Sequence, residues 1–220
     1  MNVKHDSISN IIRILKKETR RLKTPSVTEI ALDFHDPFHV LISCILSLRT
    51  KDDVTLKASR RLFSLAREPR AMSKLPVLKI AKTIYPVGFY RTKAKNIKQI
   101  CIDLLKHFKG KVPDDLDVLL SLKGVGRKTA NLVLTEGFDK PGVCVDTHVH
   151  RISNRLGFVK TKTPFDTEMA LRKKLPKRYW KDYNYLLVTW GQNICAPIGP
   201  KCSMCKIFSY CKRAGVSKHR

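Results

Sequence analysis

Four cysteines crowd into 17 residues near the C-terminal end of the chain: Cys195, Cys202, Cys205 and Cys211, with six, two and five residues between successive members. Four thiolates suffice for an all-cysteine zinc site or a 4Fe-4S cluster. Ligand type alone leaves both open, although zinc knuckles favour two close pairs and only Cys202 and Cys205 form one. A second constellation is LKGVGRK, Leu122 to Lys128. Gly124 and Gly126 permit backbone conformations closed to other residues, so successive N–H groups can converge on one anion where a helix begins. A glycine turn is more often an ordinary connection between helices, but Lys123, Arg127 and Lys128 around it favour a phosphate-sized site. By residue type alone Lys128 reads as a phosphate-contacting lysine like its neighbours. Asp146, immediately ahead of THVHRI, reads as a helix N-cap. His148 and His150 lack metal-ligand company and read as polar helix residues.

The elements that must position these groups are helical. Apolar residues recur at helical spacing, as in Phe38, Leu41, Ile42, Ile45 and Leu46, or Ile97, Ile100, Leu104, Leu105 and Phe108. Short Gly and Pro punctuations cut the chain into about ten helices of ordinary length, so the fold class is all-α. Val143 to Val145 is too short and solitary to found a sheet. The run from Pro113 to Glu136 reads as a helix with acids in its first turn, a five-residue turn, and a second helix stopped by Gly137.

The 220 residues include 44 Lys or Arg against 18 Asp or Glu, a formal net charge of +26. Residues 139 to 220 carry +12 of it, and from Tyr183 onward there are six Lys or Arg and no acid. Such a surplus favours a polyanionic partner, because each phosphate neutralised by a cation releases a condensed counterion. With 43% hydrophobic residues the chain is not disordered, and no apolar run approaches the ~20 residues of a transmembrane helix. At the N-terminus the apolar positions 8, 11, 12, 14, 15 and 22 are interrupted by charges, the pattern of an amphipathic helix rather than a targeting signal. Cys44, Cys101 and Cys144 stand alone in apolar surroundings, as small buried hydrophobes of a reducing compartment do.

LKGVGRKTANLVL followed by PGVCVDTHVHRISNRLG resembles the helix-hairpin-helix, Gly/Pro-rich loop and aspartate of the endonuclease III family of DNA glycosylases. ILSLRTKDD, VGFYRTKAKNI and the cysteine cluster extend the resemblance over nearly the whole chain. The resemblance implies two helical lobes with a DNA-binding cleft between them. One is a central helical barrel, residues 29–138, with the hairpin at 113–137. The other is a cluster lobe joining an N-terminal helix, residues 1–28, to residues 139–220 and the metal loop 195–211. It implies one 4Fe-4S cluster on Cys195, Cys202, Cys205 and Cys211, structural in role, presenting Lys201 and Lys206 to backbone phosphate. Lys123, Gly124, Val125, Gly126 and Arg127 match the hairpin's DNA contacts. Lys128 matches the family's nucleophile, whose attack needs the neutral amine; partial burial, Arg127 and the positive end of the helix all favour that form. Asp146 matches the carboxylate that stabilises positive charge on the sugar. Arg49, Val87 and Phe89 fall at wedge positions that fill the gap left by a flipped base, and Ser47, Asp52 and His148 near the pocket.

The activity so implied is bifunctional: removal of oxidised pyrimidines through a lysine Schiff base, then β-elimination 3′ to the abasic site. A monofunctional mismatch glycosylase and a non-catalytic iron-sulfur DNA-binding protein are the rivals. The expected partner is damaged double-stranded DNA, with no membrane involved, and the expected setting is a monomer in a prokaryotic cytoplasm, associated with the nucleoid. Two positions depart from the family's pattern. Lys123 replaces a usual proline, giving up rigidity and adding a cation that can meet a phosphate. Arg49 replaces a usual glutamine and can hydrogen-bond the orphaned partner base. Arg49→Gln is therefore expected to shift the ranking of the four opposite bases in an excision assay; coincident profiles for the two proteins would refute that role.

Overall fold

The computed structural model describes residues 5–220; the first four residues of the expected N-terminal segment lie outside that range. The described chain is helical, with no strand among the described residues, and it forms two compact units. One comprises residues 25–142; the other joins the segment ending at Thr24 to residues 143–220. The chain passes between them about one helical turn from the boundaries expected at 28 and 138.

In the unit 25–142, helices α2 (Ser26–Phe34) and α3 (Pro37–Ser47) meet at His35, whose left-handed backbone lets its N–H bond the Ala31 carbonyl. Asp36 starts α3 by accepting the His39 N–H at 3.2 Å, and Pro37 fills the first turn, where no amide is needed. Phe38 through Leu46 are all buried, so α3 must be enclosed on every face. Around it pack α2, α4 (Asp52–Leu65), α7 (Tyr90–Phe108) and α9 (Arg127–Leu132), while α5 (Pro69–Lys74) and α6 (Val77–Ile84) lie against α7. Helix α8 (Leu116–Ser121) is capped by Asp115, which accepts from the N–H groups of Asp117 and Val118. Beyond Leu132, α9 widens into a π-helical turn, Val133–Gly137. A Cβ on Gly137 would lie 3.1 Å from the Cα of Pro37, so a small residue lets this turn reach the start of α3.

The second unit is built on α1 (His5–Thr19), α10 (Thr147–Arg155), α11 (Pro164–Lys174) and α12 (Trp180–Asn193). Ile8, Ile11, Ile12 and Leu15 form one buried stripe of α1, which packs on α12 together with α10. Tyr183 is fully buried within this core; its hydroxyl pairs with Ser153 at 3.1 Å, and burial pushes its pKa up to about 12. Thr163 and Asp166 close a reciprocal capping box at the start of α11. Val143 to Val145 runs buried and outside any helix or strand, steadied by Asn184, whose amide donates to the Cys144 carbonyl at 3.2 Å.

Candidate functional site

The hairpin turn joins α8 to α9. Leu122 and Val125 are buried and anchor it, while Lys123, Gly124 and Gly126 are exposed. Its two glycines do different things. Gly124 has φ +82°, so the backbone demands glycine, and a Cβ there would stand 2.7 Å from the Asn96 amide nitrogen of α7 and displace that side chain. Gly126 is the extended N-cap of α9, and a Cβ there would meet nothing within 4 Å. The space beside it is open to a ligand's close approach.

Arg127 and Lys128, the first two residues of α9, are half-buried. Lys128 stands within electrostatic reach of Cys44 on α3, whose thiol burial pushes up to about 12 and the Lys128 charge pulls back. Asn131, one turn on and 1% exposed, donates to the Arg127 carbonyl at 3.0 Å. Lys128 belongs to one unit and Asp146 to the other. Asp146 caps α10: its Oδ1 accepts from both His148 N–H (2.8 Å) and Val149 N–H (2.9 Å), so neither of these bonds uses Oδ2.

Among the remaining expected residues, Arg49 and Phe89 are exposed, with the guanidinium 5.7 Å from the ring centre. Val87, expected at a wedge position, is only 1% exposed: it sits inside two successive turns, its N–H donating to the Ile84 carbonyl and its carbonyl accepting from Tyr90 N–H. Ser47 donates to the Cys44 carbonyl within its own helix, and Asp52 accepts from the Ser26 hydroxyl and N–H, tying α4 to α2. His148 pairs through Nδ1 with Arg151 at 3.0 Å.

Cys195, Cys202, Cys205 and Cys211 line one cavity with Ile152 and Trp190. Among the described residues no three His, Cys, Asp or Glu side chains are grouped to hold a single metal ion. Burial first, and then the charges of the neighbouring cysteines, push the thiols of Cys205 and Cys211 above their ordinary range, so the cysteines act on one another electrostatically. Trp190 Nε1 is buried without a conventional acceptor, and its influence lowers the Cys205 thiol against that trend. A soft, all-sulfur donor set beside a buried indole N–H fits an iron-sulfur group. Two arginines of α10 hold the loop. Arg151 donates to the Cys195 carbonyl at 2.9 Å, and Arg155 to Cys195 Sγ (3.3 Å) and to the carbonyls of Ala196 and Pro197 (both 2.7 Å).

Residues 42–177 match the family model of the HhH-GPD superfamily base excision DNA repair proteins. The chain belongs to that superfamily. It is 50% identical over 177 residues to Endonuclease III of Thermotoga maritima, covering 80% of this chain and 83% of that one. A non-covalent Endonuclease III-DNA complex is similar with a TM-score of 0.84 at 32% identity, covering 96% of each chain. A trapped Endonuclease III-DNA covalent intermediate is similar with a TM-score of 0.76 at 36% identity, covering 81% of this chain and 84% of that one.

Within this HhH-GPD chain, sequence reasoning missed Lys93, Asn131, Arg151 and Arg155. The three cations look like surface charges in the sequence. Replacing Arg155 by Met strands two carbonyls and is expected to lower stability by about 2 kcal/mol or more, read as a reduced urea midpoint, with faster amide exchange over residues 195–200.

Proposed function

We propose that this chain is a bifunctional DNA N-glycosylase and AP lyase of base excision repair, acting on oxidised pyrimidines in duplex DNA. The observation that carries it is Lys128, half-buried at the second position of α9 behind the exposed Gly126, in a chain of this superfamily. Its relationship to Endonuclease III over four-fifths of its length supports the same reading.

The neutral amine of Lys128 attacks C1′ of the damaged nucleotide as the glycosidic bond breaks and the base leaves with a proton. The sugar ring opens, its O4′ taking up a proton, and an imine joins Nζ to C1′. Loss of a proton from C2′ then expels the 3′ phosphate and cuts the strand; water hydrolyses the imine and returns the amine. The Asp146 carboxylate stabilises positive charge on the sugar and carries protons. Its cap bonds involve Oδ1, which assigns this work to Oδ2.

Phosphate contacts come from Lys123, Arg127 and the hairpin backbone at Gly124, Val125 and Gly126 in one unit, and from Lys201 and Lys206 in the other. Arg49 and Phe89 fill the gap in the stack. Cys195, Cys202, Cys205 and Cys211 hold one 4Fe-4S cluster, which pins the loop carrying Lys201 and Lys206. No helix among the described residues is long and apolar enough to cross a membrane. The proposed setting is the nucleoid of a prokaryotic cytoplasm, in keeping with the bacterial relatives, and the proposed working unit is a monomer.

Borohydride is expected to trap the wild-type chain covalently on abasic duplex DNA and to trap no Lys128→Ala protein; absence of a wild-type adduct would refute the lyase. Asp146→Asn keeps an N-cap while removing the charge. Its single-turnover excision rate should fall about 10²-fold or more, with the thermal midpoint nearly unchanged.

A further inference from the structure

The turns carrying Arg49 and Phe89 form one structural piece. Both residues adopt left-handed backbone, φ +51° and +57°, which persists in such side chains only where the surroundings over-determine it. A Cβ on Gly88 would stand 2.6 Å from the Arg49 carbonyl oxygen, so the two backbones touch. Gly88 N–H donates to Thr50 Oγ1 at 3.2 Å. Lys93, in the first turn of α7 and 5% exposed, donates to the same Oγ1 at 3.1 Å, to the Leu48 carbonyl at 2.5 Å and to the Leu46 carbonyl at 2.8 Å. Leu48 and Thr50 flank Arg49, and Gly88 precedes Phe89.

We propose that Lys93 is a positioning residue for base extrusion, locking the Arg49 and Phe89 turns into one rigid wedge that enters the base stack of duplex DNA. It rests on the glycosylase reading above. Inserting side chains between bases meets the resistance of unstacking, and a turn held only by its own backbone would yield to it. An ammonium has three protons for these three acceptors. Burial draws its pKa down to about 8, and the neutral amine has only two protons to offer, so the full set of bonds belongs to the charged form.

The test compares single-turnover excision from a damaged duplex with borohydride trapping on a single-stranded abasic oligonucleotide, where no base is flipped. Lys93→Met is expected to slow duplex excision about tenfold while single-strand trapping stays within about twofold of wild type. In an Arg49→Ala/Phe89→Ala background the same substitution should change duplex excision by no more than about threefold, because little wedge remains to be positioned. Thr50→Val removes the shared oxygen and should act in the same direction, keeping the test open if Lys93→Met fails to fold. Equal losses on both substrates, or full additivity with the double wedge variant, would overturn the proposal and leave Lys93 a tie within the fold. A wild-type chain that traps on neither abasic strand nor duplex would instead sink the glycosylase reading, and this proposal with it.

Discussion

Enclosing α3 on every face is the constraint on which the unit 25–142 depends. A helix buried from Phe38 to Leu46 leaves its last carbonyls without water, and they need donors from elsewhere in the fold. Lys93 supplies them at Leu46 and Leu48. Because those carbonyls lie next to the Arg49 turn, satisfying the end of the core helix also fixes an exposed arginine. A requirement of packing thereby becomes a device of the surface.

The other unit meets a comparable requirement with arginine. The loop entering the cysteine cavity carries carbonyls at Cys195, Ala196 and Pro197 that face α10 rather than a helical or sheet partner. Arg151 and Arg155, one turn apart on α10, reach all three. The guanidinium's planar fork suits this, since one group serves two adjacent carbonyls at fixed separation. The same helix is capped by Asp146 at its other end, so its N-terminus and the cysteine loop are tied to one rigid element.

Much of the fold was legible because helical periodicity and Gly/Pro punctuation are local signals. The turn between α8 and α9 and the capping position of Asp146 could be read from a few adjacent residues. Lys93 could not: in RTKAKNI it resembles Arg91 and Lys95, and only tertiary enclosure separates it from them. Val87 is the converse case, since an apolar residue in a turn can face either way until the turn geometry is known. Gly126 is a subtler case. Its type suggested strained backbone, but its conformation is extended, and what distinguishes the position is open space. The π turn after α9 left no sequence signal at all.

The net charge of +26 must therefore be divided by burial before it is assigned to a partner. Lys93 and Arg155 are almost fully buried and Arg151 is half-buried, each committed to carbonyls of the fold. Such cations count toward the formal surplus but release no counterion from a duplex, because they are not available to its phosphates. Lys123 on the hairpin turn and Lys201 and Lys206 on the cysteine loop, the cations proposed for that work, are all exposed. Electrostatic grip depends on where such residues stand, and both turns hold them on backbone that buried groups have already fixed.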